Sequence, residues 1–330
     1  MYNVGIIGCG AIFNRHVLSI KENKNFKLRA ICDIDKNIVE DLSKSLNVKY
    51  YTDHKDLSMD PDIDFVVIAS PNYFHYDHAI TALKNSCDVL IEKPVSFEVK
   101  DLISIEETAK KNNRKAYCVL QVRLNKSVKI VQEALGKNLL GEIRGVSFVQ
   151  RWQRPYEYFS GWRNSVKIGG GTLYEVGVHY LDILQIFFGV PDIVATKVYK
   201  TKHKNSNIED TIYSIFDYGS FGGTAEITVS AEPKNLECSI QILGSNGYLK
   251  IGGKYNFLSN GAKVKFEQIL SDNKISDSVF NDYGSYLGSC PNHSDVYENI
   301  ENFELSEAMN GIKFIEEIYK KSKVSYKRKT

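Results

Sequence analysis

Five short, nearly unbroken apolar runs, at residues 4–7, 28–32, 65–69, 89–91 and 116–120, alternate with stretches carrying apolar residues at helical spacing, at 15–22, 37–46, 76–84 and 99–111. A strand with one wet face alternates apolar with polar residues, whereas an unbroken apolar run fits a strand covered on both faces. The β-α-β-α order therefore predicts an α/β fold built on a doubly wound parallel sheet. At 330 residues the chain is longer than one such core usually fills. Beyond residue 124 helical spacing at 127–137 and 172–188 precedes strand-like segments at 193–199, 211–216, 223–230, 237–243 and 247–251. Turn signals such as Tyr218-Gly219-Ser220 and Ser245-Asn246-Gly247 join these strands closely, which reads as an antiparallel sheet. Residues 295–302 and 305–320 read as helices. The expected division is a parallel-sheet domain over 1–122 and an α+β domain over 123–330 with a large, mainly antiparallel open sheet. A ligand site is expected where the two meet.

Gly8-Cys9-Gly10-Ala11-Ile12-Phe13 lies between the first apolar run and the first helical stretch. That is the place of the dinucleotide-binding turn of a Rossmann sheet. Gly8 and Gly10 permit a sharp turn, and the N–H groups around Ala11 and Ile12 can approach a pyrophosphate at the positive end of the helix. At the third position, where Gly or Ala normally allows close packing, stands Phe13. Asp33 ends the second run, placed to accept hydrogen bonds from ribose hydroxyls and to repel a 2′-phosphate. NAD is thereby favoured over NADP, with Lys36 leaving dual use open. Asp35 fits the role of helix cap better than Asp33. The third and fourth runs lead into Ser70-Pro71-Asn72-Tyr73-Phe74-His75 and Glu92-Lys93-Pro94, at the carboxyl edge where open α/β sheets bind ligands.

Composition excludes several classes. Apolar content of 43% and charged content of 25% are those of a globular protein, and a formal net charge of +2 argues against nucleic acid as partner. Only residues 320–330 are visibly basic, which fits a solvated terminus. No apolar run approaches the length of about 18 residues needed to span a bilayer, and nothing at the N-terminus reads as a signal peptide. The six cysteines, Cys9, Cys32, Cys87, Cys118, Cys238 and Cys290, stand singly and read as reduced core residues of a cytoplasmic protein.

Taken in order, the glycine turn, S-P-N-x-x-H, E-K-P, Gln121-Val122-Arg123, Trp162-Arg163, the run from Gly169-Gly170-Gly171 to Asp182, and Ile208-Glu209-Asp210-Thr211 resemble the glucose-fructose oxidoreductase / inositol dehydrogenase / MocA (Gfo/Idh/MocA) family. The resemblance covers nearly the whole chain. It implies an NAD-dependent oxidoreductase that moves a hydride between nicotinamide and a sugar-like hydroxyl or ketone. It also implies that Ser70, Asn72, His75, Glu92, Lys93, Gln121, Trp162 and Arg163 face the cofactor, while Lys93, Arg123, Glu175, His179 and Asp182 face the substrate. Lys93 would hydrogen-bond the reacting oxygen and stabilise alkoxide character, and His179 would act as acid and base. Lys93-Pro94 is a candidate cis bond, as in relatives. Glu175, His179 and Asp182 are spaced i, i+4, i+7 and so would share one helix face. The family's inositol dehydrogenases carry Asp where this chain has Glu175, whose expected part is to orient His179 or tune Lys93. A metal held by this trio is the weaker reading, since hydride transfer to nicotinamide needs none, and no metal is expected.

Residues 151–159 are rich in Arg and aromatics, suited to stacking on sugar or base rings and pairing with phosphate or carboxylate. Together with Asn292-His293-Ser294 and Tyr297 they look more like the branch that oxidises nucleotide-linked sugars for polysaccharides, such as UDP-N-acetylglucosaminuronate 3-dehydrogenases, than like inositol dehydrogenases. Rival readings are an inositol or free-sugar dehydrogenase, an NAD-assisted glycosidase, and a sugar or NAD sensor without turnover. The open sheet needs cover, and subunit pairing into a homodimer or homotetramer is the expected solution.

Overall fold

The computed structural model describes residues 1–165, 167–251, 256–257, 265, 267–269, 271–272 and 292–324. Cys290 and the basic residues at 325–330 lie outside the described residues. Strands β1 (Tyr2–Ile7), β2 (Phe26–Cys32), β3 (Lys49–Tyr51), β4 (Phe65–Ile68), β5 (Asp88–Ile91) and β6 (Ala116–Cys118) form one sheet in the order β3-β2-β1-β4-β5-β6, every pair parallel. β4 and β5 are buried along their whole length, as the unbroken apolar runs require. The strand order reverses between β1 and β4, which opens a crevice at their carboxyl ends. The expected helices are present as α1 (Phe13–Glu22), α2 (Lys36–Leu46), α4 (His75–Lys84) and α5 (Val99–Lys111). β3 and the short α3 (His54–Met59) were not predicted. β3 is an edge strand with Lys49 and Tyr50 exposed, so it lacks an apolar run; Lys49 and Tyr51 are pinned instead by Asp60 at 2.9 and 2.6 Å.

After α6 (Lys126–Gly136) comes a second sheet, ordered β13-β12-β11-β7-β10-β9-β8. Its strands are β7 (Ile143–Arg151), β8 (Asp192–Tyr199), β9 (Thr211–Asp217), β10 (Gly222–Thr228), β11 (Glu237–Gly244), β12 (Gly247–Ile251) and β13 (Asn256–Phe257). The sheet is mainly antiparallel, as expected, but β7 and β10 run parallel. β7 is the strand the sequence pattern hides. It is central, yet its outward face carries Ser147 and Arg151 and its inward face carries Gln150, so no apolar run marks it.

One face of this sheet packs under α7 (Val178–Phe188) and α9 (Met309–Ser322), with Phe216 against Phe314 at 5.1 Å and Phe148 against Tyr180 at 5.6 Å between ring centroids. α9 buries Ile312, Ile315, Ile318 and Tyr319, a stripe at helical spacing. Between the sheets, α8 (His293–Glu298) and residues 299–304 cross back to the first sheet. Ser294 bonds Glu22 and Ser19 of α1 at 2.7 and 3.2 Å, and the Cys118 N–H of β6 donates to Phe303 O at 2.9 Å. The C-terminal part of the chain thus supplies one wall of the N-terminal half.

Candidate active site

Gly8 leaves β1 with φ +103°, and a Cβ there would stand 2.5 Å from Ala69 O at the end of β4. Both the backbone angle and the close approach exclude a side chain. A Cβ on Gly10 would meet nothing within 4 Å, because Gly10 faces open space. No side chain caps α1 and no acidic residue stands in its first turn; the Phe13 and Arg15 N–H groups bond Gly10 O and Ile12 O at 3.1 and 3.0 Å, and the end of the helix stays open to an anion. Phe13 is that helix's first residue and is buried, so the departure from the glycine pattern is absorbed by the core. Asp33 accepts the Cys9 N–H at 2.8 Å and the Asp35 N–H at 3.0 Å. Its carboxylate thereby fixes the glycine turn and still has lone pairs for ribose hydroxyls. Asp35 caps α2 through the N–H groups of Asn37 and Ile38 at 3.0 and 3.3 Å. A cavity of about 450 Å³ extends from Gly8 and Asp33 past Ser70 and Pro71 to Phe74 and the tilted pair His54 and His78, whose centroids lie 4.2 Å apart. Burial pushes the His78 pKa down to about 3, so this pair is neutral at pH 7. His54 went unread in the sequence because α3 went unread, and His78 because its partner 24 positions away in α3 gives no local signal.

The two strand-end loops are tied together by His75, whose Nδ1 and Nε2 each lie 2.7 Å from a carbonyl oxygen, of Pro94 and Ser70. The Lys93-Pro94 bond is cis. Lys93 reaches from this edge toward α7 and donates from Nζ to Glu175 O at 3.2 Å. That carbonyl belongs to a π turn, Leu173–Gly177, in which the Val178 N–H bonds Leu173 O, five residues back. Such insertions recur at functional sites because they release carbonyls from the regular ladder. The neighbouring carbonyl, Val176 O, accepts from Gln150 Nε2 at 3.2 Å.

The π turn also corrects the shared-face expectation for Glu175, His179 and Asp182. One extra residue in a turn rotates what precedes it by about 100° relative to the following helix. The Glu175 carboxylate accepts from Asn72 Nδ2 at 2.7 Å, from the Tyr158 hydroxyl at 3.3 Å and from Arg163 Nε at 3.4 Å. Glu175 therefore meets Lys93 through its carbonyl, and its carboxylate is committed to these three partners. Asp182 forms a two-pronged ion pair with Arg123, at 2.7 Å for each bond, and Arg123 also bonds Glu307 at 2.9 Å. These two expected substrate contacts hold one another and join the Gln121–Leu124 turn to α7. His179 is half-buried on α7. Burial, and after it the nearby Lys93 ammonium, hold its pKa well below the ordinary value, so the ring is a free base at pH 7. Among the described residues, the group that brings three possible metal ligands together is His16, Glu92 and His293, not the Glu175 trio.

A family model described as "Oxidoreductase family, NAD-binding Rossmann fold" matches residues 2–120, and a GFO/IDH/MocA C-terminal domain model matches residues 128–250. The chain belongs to the Gfo/Idh/MocA oxidoreductase family. It is 26% identical over 244 residues to the glucose-6-phosphate 3-dehydrogenase of Bacillus subtilis, which covers 73% of this chain and 69% of that protein. It is 23% identical over 256 residues to the 2,7-anhydro-N-acetylneuraminate hydratase of Escherichia coli, covering 76% and 68%. Four of the curated relatives are matched over 53% to 69% of their own lengths. Among solved structures, the WlbA dehydrogenase from Bordetella pertussis, in complex with NADH and UDP-GlcNAcA, superposes with a TM-score of 0.85 at 22% identity, covering 98% of this chain and 95% of that one.

Within this Gfo/Idh/MocA chain the remaining motif residues fall into two groups. Trp162 and Arg163 sit in the Gly161–Asn164 turn at the cleft, and the Arg163 guanidinium stacks on Trp162 at 4.3 Å and over Tyr158 at 5.2 Å. Arg154 covers Trp152 at 4.9 Å and Tyr158 at 5.4 Å. Gln121 is buried in the Gln121–Leu124 turn. Arg151 departs from the expected aromatic cluster, because it pairs with Glu226 and Glu237 on the sheet. The Ile208-Glu209-Asp210-Thr211 segment is structural. Glu209 accepts the Thr172 N–H at 2.9 Å and the Tyr319 hydroxyl at 2.6 Å ahead of the π turn, while Asp210 collects the N–H groups of Thr201, Lys202 and His203. His293 and Tyr297, from the segment that resembles the nucleotide-sugar branch, are buried against Glu92 and His16.

Proposed function

We propose that the chain is an NAD-dependent dehydrogenase acting on a sugar, and that its substrate is a nucleotide-linked sugar. The carrying observation is Lys93 at the carboxyl edge of the Rossmann sheet, anchored on the π turn that leads into α7, with its charge acting on the neutral His179 of that helix. The fit to NAD rests on Gly8, Gly10, the open end of α1, the Asp33 carboxylate and the adjoining cavity. When bound, the nicotinamide would supply the hydride acceptor. Lys93 hydrogen-bonds the substrate hydroxyl and stabilises negative charge on its oxygen, and His179 takes the proton. Glu175 acts through Asn72, Arg163 and Tyr158, holding the π turn to which Lys93 is anchored. Arg123 and Asp182 support the wall of the cleft. Asp33 favours NAD over NADP.

The nucleotide-sugar reading is supported by the stacked Arg154, Tyr158, Arg163 and Trp162, which offer flat cationic surfaces to a base and to phosphate or carboxylate. It is tested by isothermal titration with UDP- and dTDP-sugars alongside free glucose and inositol. Binding of the free sugars alone, with reduction of NAD, would reject it. A second reading is favoured by the hydratase relative: bound NAD is used transiently, without net redox change. Reduced-nicotinamide absorbance separates the two, since net accumulation means dehydrogenase and sugar conversion without accumulation means the transient use. The same reading assigns a domain boundary near 122–123 and, given the free and mostly buried thiols, a cytoplasmic setting. Subunits are proposed to pair through the open face of the second sheet.

A further inference from the structure

Behind Lys93 lies a buried polar chain that the proposed chemistry does not use. Glu92, 6% exposed, accepts at Oε1 from His16 at 3.1 Å and from His293 at 3.2 Å, and at Oε2 from the Lys93 N–H at 3.2 Å. The Tyr297 hydroxyl lies 2.9 Å from His16 Nδ1. The four side chains come from three places: His16 from α1, Glu92 from the end of β5, and His293 and Tyr297 from α8. An isolated carboxylate this deep would be strongly disfavoured, so its partners must be donors. That fixes the hydrogens. Both rings donate Nε2–H to Glu92 Oε1, and the Tyr297 O–H donates to His16 Nδ1.

We propose that Tyr297, His16, Glu92 and His293 form a positioning chain that fixes Lys93 from behind and docks α8 on the glycine-turn helix, tying the two walls of the cleft together. It rests on the reading that Lys93 works on the substrate oxygen. Lys93 is held at both ends, by Glu92 at its backbone N–H and by Glu175 O at Nζ. Ser19 and Glu22 add bonds from α1 to Ser294, and the Phe26 and Tyr297 rings meet edge to face at 5.1 Å. Glu92 is among the groups that act on His179, after burial and the Lys93 charge, so the chain also sets part of the charge against which His179 titrates.

The same donors could in principle grip a metal ion. A ligating histidine normally gives its second N–H to an acceptor, yet His293 Nδ1 is buried with no partner. As a bare lone pair in the Nε2–H tautomer it costs less than an unpaired N–H would. Geometry therefore favours hydrogen bonds over a metal.

The test is long-range nitrogen–proton correlation spectroscopy on the full chain carrying ¹⁵N-labelled histidine, with His16→Asn and His293→Asn used for assignment. The His16 ring is expected as a neutral Nε2–H tautomer from pH 6 to 8, with His293 meeting Glu92 through a protonated Nε2, and Tyr297→Phe is expected to move the His16 Nδ1 resonance. The same variant should lower kcat about tenfold while leaving the Kd for NAD within about twofold, as for a contact made in positioning rather than in cofactor binding. An Nδ1–H tautomer, a charged His16 ring at pH 7, an unmoved kcat, or one stoichiometric zinc found by elemental mass spectrometry would each overturn the proposal. Should Tyr297→Phe fail to fold, Ser294→Ala with Glu22→Gln probes the docking of α8 by hydrogen exchange at α1, where unchanged protection would count against it. Failure of the underlying reading looks different: Lys93→Ala would keep full turnover while the tautomers stayed as stated.

Discussion

At the residue scale the decisive pair is Lys93 and His179. Removing either removes charge stabilisation or proton transfer, so Lys93→Ala and His179→Ala are each expected to lower kcat by about 10²- to 10⁴-fold with the fold intact. Steady-state kinetics beside a thermal melt measures this, and a Lys93→Ala enzyme with full turnover would remove the mechanism. The pH dependence carries a sign. A base must be deprotonated to act, and burial with the Lys93 charge holds the His179 pKa well below 6.5. Oxidation should therefore keep its kcat/KM as pH falls through 6.5 and lose it only well below that value. A limb centred at 6.5 would mean a solvated ring. Lys93 was readable in the sequence because a lysine before proline at a strand end has little reason to be solvated. The commitments of Arg123 and Asp182 to each other were not readable, since partners 59 positions apart carry no local signal.

At the scale of elements, the glycine turn makes two positions separable that look equivalent in the sequence. Gly8→Ala must adopt φ +103° and meet Ala69 O, so it is expected to lower the melting temperature and abolish NAD binding together. Gly10→Ala meets nothing, so it should melt like the parent while binding NAD at least tenfold more weakly, because the added methyl occupies the approach to the open end of α1. Fluorescence titration and a thermal melt on both variants check this; equal losses of stability would show that the space beside Gly10 is needed by the protein itself. The parallel sheet was legible because burial on both faces leaves unbroken apolar runs. β3, α3 and β7 were not, because edge exposure, short length and polar residues such as Gln150 break the pattern. The π turn had no signal in spacing at all, and it is what turned an i, i+4 expectation for Glu175 into contacts with Asn72, Tyr158 and Arg163.

For the whole molecule, the question is what covers the second sheet. Its inner face is sealed by α7 and α9, but outward stand Tyr213, Ile215 and Leu243, exposed by 46%, 50% and 50%, with Tyr248 half-buried beside Leu243. Cross-strand register puts Ile215 between Ala195 and Thr224, so the apolar atoms lie along a surface rather than at scattered points. Lys197 is paired across from Tyr213, which in turn faces Glu226, so the patch is studded with charges of both signs that a second copy could match by two-fold symmetry. A stable pairing buries about 800 Å² on each partner, which strands of seven and eight residues across several neighbours are broad enough to supply. Light scattering is therefore expected to find a dimer or a multiple of one. Ile215→Glu places a charge at the centre of the patch without touching the inner core, so it should give monomers whose secondary structure is retained. A parent that is monomeric at micromolar concentration would leave this face to water, and the mixed polarity of its strands would then be the reason it tolerates exposure.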